Sequence, residues 1–501
     1  MTGPYRIALP YVHLTDPHLC TDSHAVLCIR RLLFPGLLNH TGKLAHGLLS
    51  DRWSVEDGGR TWTFHLKHGC SFPDGRTVSA ADVVYSLQRA VSPSIGGQLY
   101  TVPYREYIGN AEFRIIDTRT VRIINPDPIA DLAGLLPDIA IIPENWSGYT
   151  DGTGAGPYEL AEQAEHTVLL KLRRDIYSED SPASSGSGLP DLIEFTAIAD
   201  KEERLAALRE GSVDGILDPP LDAVNEHFFV HSENFHAHGW DTSLSVIFLI
   251  DCSRPPLDNP KVRQALNYAV DTDRLIREAA RGLARPLNGP FSNRHFAHDP
   301  AIQPYPYDPR RARRLLEDAG LVRSPGMSTD GGTEAGTAGP RDFRLHIHAP
   351  TTIPDEGPAL AGFLARAYRE TGLDVEVHLH EDRTEYARQV AEKELYGIYC
   401  FDSSPLSSFK VLHEKIDSRT AGTWWQGYHS EEVNRLLSMA ASTPDDTGRA
   451  EIYRKVYRIL HEEAPWVFLY QPQRFWLFNT SSLPPLPADD LGFFEAPLPG
   501  V

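Results

Sequence analysis

Residues 48–93, LLSDRWSVEDGGRTWTFHLKHGCSFPDGRTVSAADVVYSLQRAVSP, confine this chain to a narrow local grammar. Trp53, Trp62, Phe64 and Leu66 recur at spacings of two and nine, as two facing strands place them. Asp57-Gly58-Gly59 between them offers the positive-φ positions of a tight hairpin turn. Pro73-Asp74-Gly75 predicts a second turn. Ser79, three residues before Asp82, reads as a helix N-cap with an acidic partner. Val83, Val84, Leu87 and Ala90 then follow at helical spacing. The predicted order is hairpin, turn, amphipathic helix.

At 501 residues the chain exceeds one small core, and length alone predicts about three domains. Hydrophobic residues at 41% and charged residues at 23% describe an ordinary globular protein. A net charge of −20 argues against nucleic acid and against an anionic membrane surface as partners. No apolar run approaches the ~20 residues of a membrane span. The N-terminal MTGPYRIALPYVHLTDPH lacks the basic start, apolar centre and cleavage site of a secretory signal. Five cysteines (Cys20, Cys28, Cys70, Cys252, Cys400) include no C-x-x-C pair. Two disulfides with one free thiol compete with five buried thiols. Cys252 and Cys400 both end strand-like apolar runs, but buried reduced cysteines are the expectation.

The 48–93 stretch closely resembles a signature of the extracytoplasmic solute-binding proteins, family 5, which deliver peptides, nickel chelates and opines to ABC importers. Trp53, Asp57, Gly58, Trp62, Thr63, Phe64, Leu66, Lys67, Gly69, Phe72, Asp74, Gly75, Ala80, Asp82, Val83, Val84, Tyr85 and Ser86 fill that signature. The likeness continues in order through Leu14–His18, Gly154-Ala155-Gly156-Pro157-Tyr158, Arg173 with Tyr177, Arg254–Asp258 with Val262–Leu266, and Tyr307-Asp308-Pro309. The resemblance implies an α/β fold of the type II periplasmic-binding-protein kind: two hinged lobes with mixed sheets and an inserted middle domain. Lobe I would take 1–47, 155–243 and 477–501, the middle domain 48–154, and lobe II 244–476. Chain crossings near 243 and 477 would form the hinge. Residues 324–342, rich in Gly, Ser and Thr, read as a flexible surface loop. FRLHIHAP, the helix over 358–371 and LDVEVHLHE form a βαβ pattern that predicts parallel strands.

The resemblance places a ligand in the cleft between lobes. In its peptide-binding members an acid four positions before a proline pairs with the ligand's amino group. Here Phe401 stands four before Pro405 and the acid, Asp402, follows it. Asp402 therefore reads either as an amine contact or as a loop acid capping the helix after Pro405. Trp424, Trp425 and Tyr428 match an aromatic loop that lines the family's pocket. Adjacent indoles on a strand face opposite ways, so one of the two is expected at the ligand. Tyr104 and Arg105, in a segment with Tyr100, Pro103 and Tyr107, supply an aromatic and a guanidinium suited to a carboxylate, or else a structural cluster. His18 and His24 are further cleft-edge candidates.

His346 and His348 share one strand face and His378 and His380 another, yet H-x-H strands are common without metal, and none is expected. There is no G-x-S-x-G, H-E-x-x-H, Walker A loop or dinucleotide fingerprint, so neither catalytic residues nor a cofactor are expected. The expected function is the substrate-binding component of an ABC importer: a monomer that captures a peptide-like or amine-containing solute by lobe closure and hands it to permease transmembrane subunits. The resemblance implies a periplasmic or cell-surface location. The N-terminus leaves open a cytoplasmic ligand sensor of the same fold, and an enzyme that recruited the cleft is a further alternative.

Overall fold

The computed structural model describes residues 3–21, 23–41, 44–97, 101–149, 154–174, 190–225, 234–322, 343–352, 356–403 and 405–480. Tyr100, Tyr177 and the 324–342 segment lie outside the described residues. The chain divides into two units. One comprises residues up to Trp240, Ala441–Pro444 and those from Arg474 onward; the other comprises Asp241–Ala440 and Asp445–Gln473.

The first unit opens with β1 (Tyr5–Leu9), whose side chains are almost all buried, and helix α1 (His24–Leu33). The signature stretch then folds as its turn residues require. Strands β2 (Ser50–Glu56) and β3 (Thr61–Leu66) pair antiparallel, with Trp53 opposite Phe64. Asp57, Gly58 and Gly59 turn the chain between them with φ of 51°, 61° and 92°. Gly59 has a second constraint: a Cβ there would lie 2.9 Å from the Ala441 carbonyl oxygen and 3.0 Å from the Ala130 nitrogen. Trp62 and Phe64 stack at 5.9 Å in the core.

Helix α2 (Ala80–Ala90) starts where predicted. The fully buried Asp82 accepts from the Ser79 backbone N–H at 2.9 Å, the Ser79 hydroxyl at 2.7 Å and the Glu144 N–H at 2.9 Å. Arg76 Nη1 adds 2.9 and 3.1 Å contacts to its two oxygens. Burial alone would raise this carboxyl's pKa, but those hydrogen bonds outweigh it and the net shift is downward. The signature residues therefore build scaffold. Strands β4 (Glu112–Asp117) and β5 (Thr120–Ile124) complete an antiparallel sheet of order β2-β3-β5-β4, within the stretch 48–154.

A larger sheet of the unit uses β6 (Tyr158–Gln163), β7 (Thr167–Leu172), β8 (Leu192–Ala197) and β9 (Gly215–Leu217). β1 lies between β8 and β9, parallel to both, while β8, β7 and β6 run antiparallel in turn. Residues 476–478 pair antiparallel with β9. Helix α3 (Lys201–Glu210) ends at Gly211, whose φ of 74° gives the left-handed stop expected of it.

The second unit is built on β10 (Ser245–Ile250), buried along its whole length. Helix α4 (Pro260–Tyr268) follows, then β11 (Arg344–Pro350), α5 (Gly357–Thr371) and β12 (Asp374–His380), the predicted βαβ with parallel strands. Next come α6 (Arg383–Ala391), β13 (Ile398–Ser403) and α7 (Ser408–Lys415). The last strand, β14 (Trp466–Asn479), contributes its first half here and its second half to the first unit. The sheet order is β12-β11-β13-β10-β14, with β11 parallel to both neighbours and the other pairs antiparallel.

Two expectations change at this level. Asp402 is in strand β13 rather than a loop, and the helix after Pro405 is capped by Ser407. Trp424 and Trp425 sit in a turn, so strand alternation does not govern them. The cysteines are as expected: all five are buried free thiols, and no bridge joins Cys252 to Cys400. Among the described residues no helix is long and apolar enough to cross a membrane.

Candidate functional site

In the second unit, Asp402 meets a residue that carries no motif. Asp382 caps α6 by accepting from the Glu385 N–H at 3.0 Å, which makes Arg383 the first helical residue. Arg383 Nη2 lies 3.7 Å from Asp402 Oδ1, and the two side chains are only 14% and 17% exposed. At that distance the pair is an ion contact without a well-formed hydrogen bond. Arg383 Nε and Nη1 are buried and find no hydrogen-bond partner among the described residues. Beside Asp402, Ser403 stands in register with Ser245, and both of their buried hydroxyls lack a partner there too.

The electrostatics tie these groups together. Burial pushes the Cys400 thiol far up, Asp402 pushes it further, and Arg383 opposes them; Glu356, just before α5, adds to the upward push. Three charged groups thus act on one buried thiol. An under-hydrogen-bonded guanidinium beside a carboxylate can take a bidentate anion on one side and an ammonium on the other. Sequence reasoning missed Arg383. Its one signal was a cation in the first turn of a helix, where the helix dipole disfavours positive charge.

The neighbouring aromatics differ in burial. Trp424 lies 4.7 Å from the Phe401 ring and is buried. Trp425 is half-buried, and its indole N–H donates to the Tyr428 carbonyl at 2.7 Å. The buried Tyr428 hydroxyl donates to Glu463 at 2.6 Å, and burial, then Glu463, raises its pKa far above the ordinary value.

The first-unit candidates are occupied internally, contrary to the expected contacts with ligand. His18 is wholly buried; its Nε2–H donates to the Ala140 carbonyl at 2.8 Å and its Nδ1 accepts from Arg89 at 3.0 Å. Burial leads the effects that lower its pKa to about 4. The buried Tyr104 hydroxyl donates to the Asp138 carbonyl at 2.8 Å, and Arg105 Nη1 donates to the Ile95 carbonyl at 2.7 Å. His24 heads α1 with its ring 5.8 Å from that of Trp240. The structure therefore joins Asp402 to Arg383, engages His18, Tyr104, Arg105, Trp424 and Tyr428 within the protein, and leaves Trp425 half-buried.

The profile of bacterial extracellular solute-binding proteins, family 5 Middle, matches residues 43–404. The glutathione-binding protein GsiB of Escherichia coli K12 is 25% identical over 471 residues, which cover 90% of this chain and 85% of that protein. Among solved structures, the periplasmic binding protein DppA of Helicobacter pylori, in complex with the peptide STSA, superposes with a TM-score of 0.72 at 20% identity, covering 95% of this chain and 94% of the other. AgaA of A. tumefaciens R10, in complex with agropinic acid, gives 0.72 at 21% identity, covering 95% and 93%. These likenesses show the type II periplasmic-binding fold, with its mixed sheets.

Proposed function

This chain belongs to the bacterial extracellular solute-binding proteins, family 5, and from that premise we propose that it captures a small zwitterionic, peptide-like or amine-containing solute for an ABC permease. One observation carries the choice of ligand: the Arg383 guanidinium, two of whose nitrogens are buried with no partner among the described residues, lies 3.7 Å from Asp402. Leaving a buried charged donor unsatisfied is costly, so the arrangement favours an anion supplied by a guest. In this reading Arg383 takes the solute's carboxylate and Asp402 its ammonium. Trp425, the less buried indole, is the aromatic assigned to the solute, since Trp424 is packed on Phe401. The glutathione-binding relatives and the complex with the peptide STSA support a ligand that pairs carboxylate with amine.

Binding would shift an open–closed equilibrium of the protein, and the closed form would be what a permease reads. No covalent step is involved. The proposal includes a periplasmic or cell-surface location, a monomeric state, and the inserted middle domain at 48–154.

Thermal denaturation with dipeptides, tripeptides, glutathione and opines is the first measurement. A true ligand at a hundred times its Kd stabilises the protein by about 2.7 kcal/mol. Calorimetry with that ligand is then expected to show Arg383→Ala and Asp402→Ala each weakening binding more than tenfold, about 1.4 kcal/mol or more. Arg383→Lys should recover only part, because an ammonium cannot supply the planar fork. Unchanged affinity in both alanine variants would refute the site. A tight ligand without any charged group would refute the zwitterion.

A further inference from the structure

The parallel pair β11 and β12 lines up five ligand-capable side chains on one face of the sheet's edge. His346 is in register with Glu376, His348 with His378, and Pro350 with His380, so the even-numbered residues of both strands point the same way. The three outermost groups converge. His346 Nδ1 is 2.9 Å from His378 Nε2, and each of these nitrogens is 3.9 Å from a Glu376 carboxylate oxygen. All three ligand atoms fall within 4.8 Å of one another, and the side chains are about one-third to two-fifths exposed, at 32%, 33% and 44%.

We propose that His346, His378 and Glu376 form a binding site for a borderline divalent cation of the Zn²⁺ class, completed by solvent. Metal–nitrogen bonds of about 2.1 Å at tetrahedral angles need ligand atoms about 3.4 Å apart. The 2.9 Å nitrogen–nitrogen separation is shorter than that value and the two 3.9 Å nitrogen–oxygen separations, one to each Glu376 oxygen, are longer, so rotation of these half-exposed side chains by about an ångström closes the set. Two imidazoles with one carboxylate suit Zn²⁺ better than the all-oxygen ions Mg²⁺ or Ca²⁺. Without metal, one of the two facing nitrogens must carry a hydrogen to bond the other. With metal, each ring presents a lone pair and keeps its hydrogen on the far nitrogen, so the exchange is tautomeric and releases no net proton.

The second histidine pair braces the first. His348 Nε2–H donates to the Tyr396 carbonyl at 3.1 Å, which leaves Nδ1 to accept from His380 Nε2 at 3.1 Å. The His348 ring, fixed in this way, stacks on His378 at 4.7 Å and 15°. One group competes: Arg344 Nη1 contacts Glu376 at 3.2 Å. Its Nε keeps Asp374 at 2.7 Å, so Arg344 can release Glu376 and stay paired.

The test is calorimetric titration of the untagged full-length protein with ZnCl₂ at pH 7.5, followed by the visible absorption of Co²⁺ as a report of four-coordination. One saturable equivalent is expected. His378→Gln and Glu376→Gln should each weaken it roughly tenfold or more. His380→Gln, outside the ligand set, should change it less than threefold. Absent saturable binding, or binding unmoved by both ligand variants, overturns the proposal. Glu376→Gln alone decides should His378→Gln fail to fold, because a half-exposed edge carboxylate is not needed for the core. Neither variant should alter affinity for the organic solute, which separates this outcome from the fate of the Arg383–Asp402 site.

Discussion

A histidine sealed from water stays neutral, and His18 pays no hydrogen-bond penalty for it because the Ala140 carbonyl and Arg89 engage both ring nitrogens. Its folded pKa of about 4 lies below the unfolded value near 6.5. The unfolded chain therefore binds the proton first as pH falls. The stabilisation is complete above about pH 6.5 and is lost progressively down to about pH 4, some 3 kcal/mol in all. Urea unfolding at pH 7 and pH 4.5 should show a larger drop for the wild type than for His18→Gln, whose amide can make both hydrogen bonds without titrating. Equal drops would mean that His18 titrates normally in the fold. At this scale sequence reading has a clear blind spot. His18 and Tyr104 carry pocket-like chemistry in the sequence but spend it on backbone carbonyls. Arg383 is one of two arginines in EDRTEYARQ, and burial and the lack of a partner among the described residues for its Nε and Nη1 set it apart.

Elements were far more legible, because hairpin turns and helix caps are written in neighbouring residues. The Asp57-Gly58-Gly59 turn, the Ser79–Asp82 start of α2 and the Gly211 stop of α3 all stand where local chemistry places them. The turn at 424–428 shows the opposite case. Period-two reasoning assumed a strand there, whereas Gly427 adopts a φ of 78° and a Cβ on it would lie 2.5 Å from that of Ser253. The start of α2 supports a quantitative expectation. Ser79→Ala removes one hydroxyl and should cost about 1 kcal/mol. Asp82→Ala orphans the Ser79 and Glu144 N–H groups and strips Arg76 of its partner, so about 3 kcal/mol is expected. Denaturant melts of the two variants should preserve that order, and an Asp82→Ala cost no greater than that of Ser79→Ala would show that the serine, not the carboxylate, anchors the helix.

For the molecule as a whole, the sequence alone shows no boundary, since pairings such as β1 with β8 and β9, or β9 with 476–478, join segments far apart in the chain. Only resemblance suggested discontinuous lobes. The structure adds a simpler property: the second unit occupies the continuous stretch 241–473, apart from Ala441–Pro444. All strands of its sheet, β12-β11-β13-β10-β14, contribute residues within that stretch, and β10 at its centre is fully buried by them and the packed helices. The losses on excision are local. Residues 474–479 leave the end of β14, the strand Phe235–Asp241 that pairs with β14 is lost but for Asp241, and the Ala441 carbonyl gives up the Ala130 N–H. A unit whose central strands and core lie within one chain segment meets the requirements for folding alone. Residues 241–473 expressed by themselves are therefore expected to give a cooperative urea transition with fixed near-UV aromatic signals from Trp424 and Trp466. A broad transition without those signals would show that the unit's core depends on the rest of the chain.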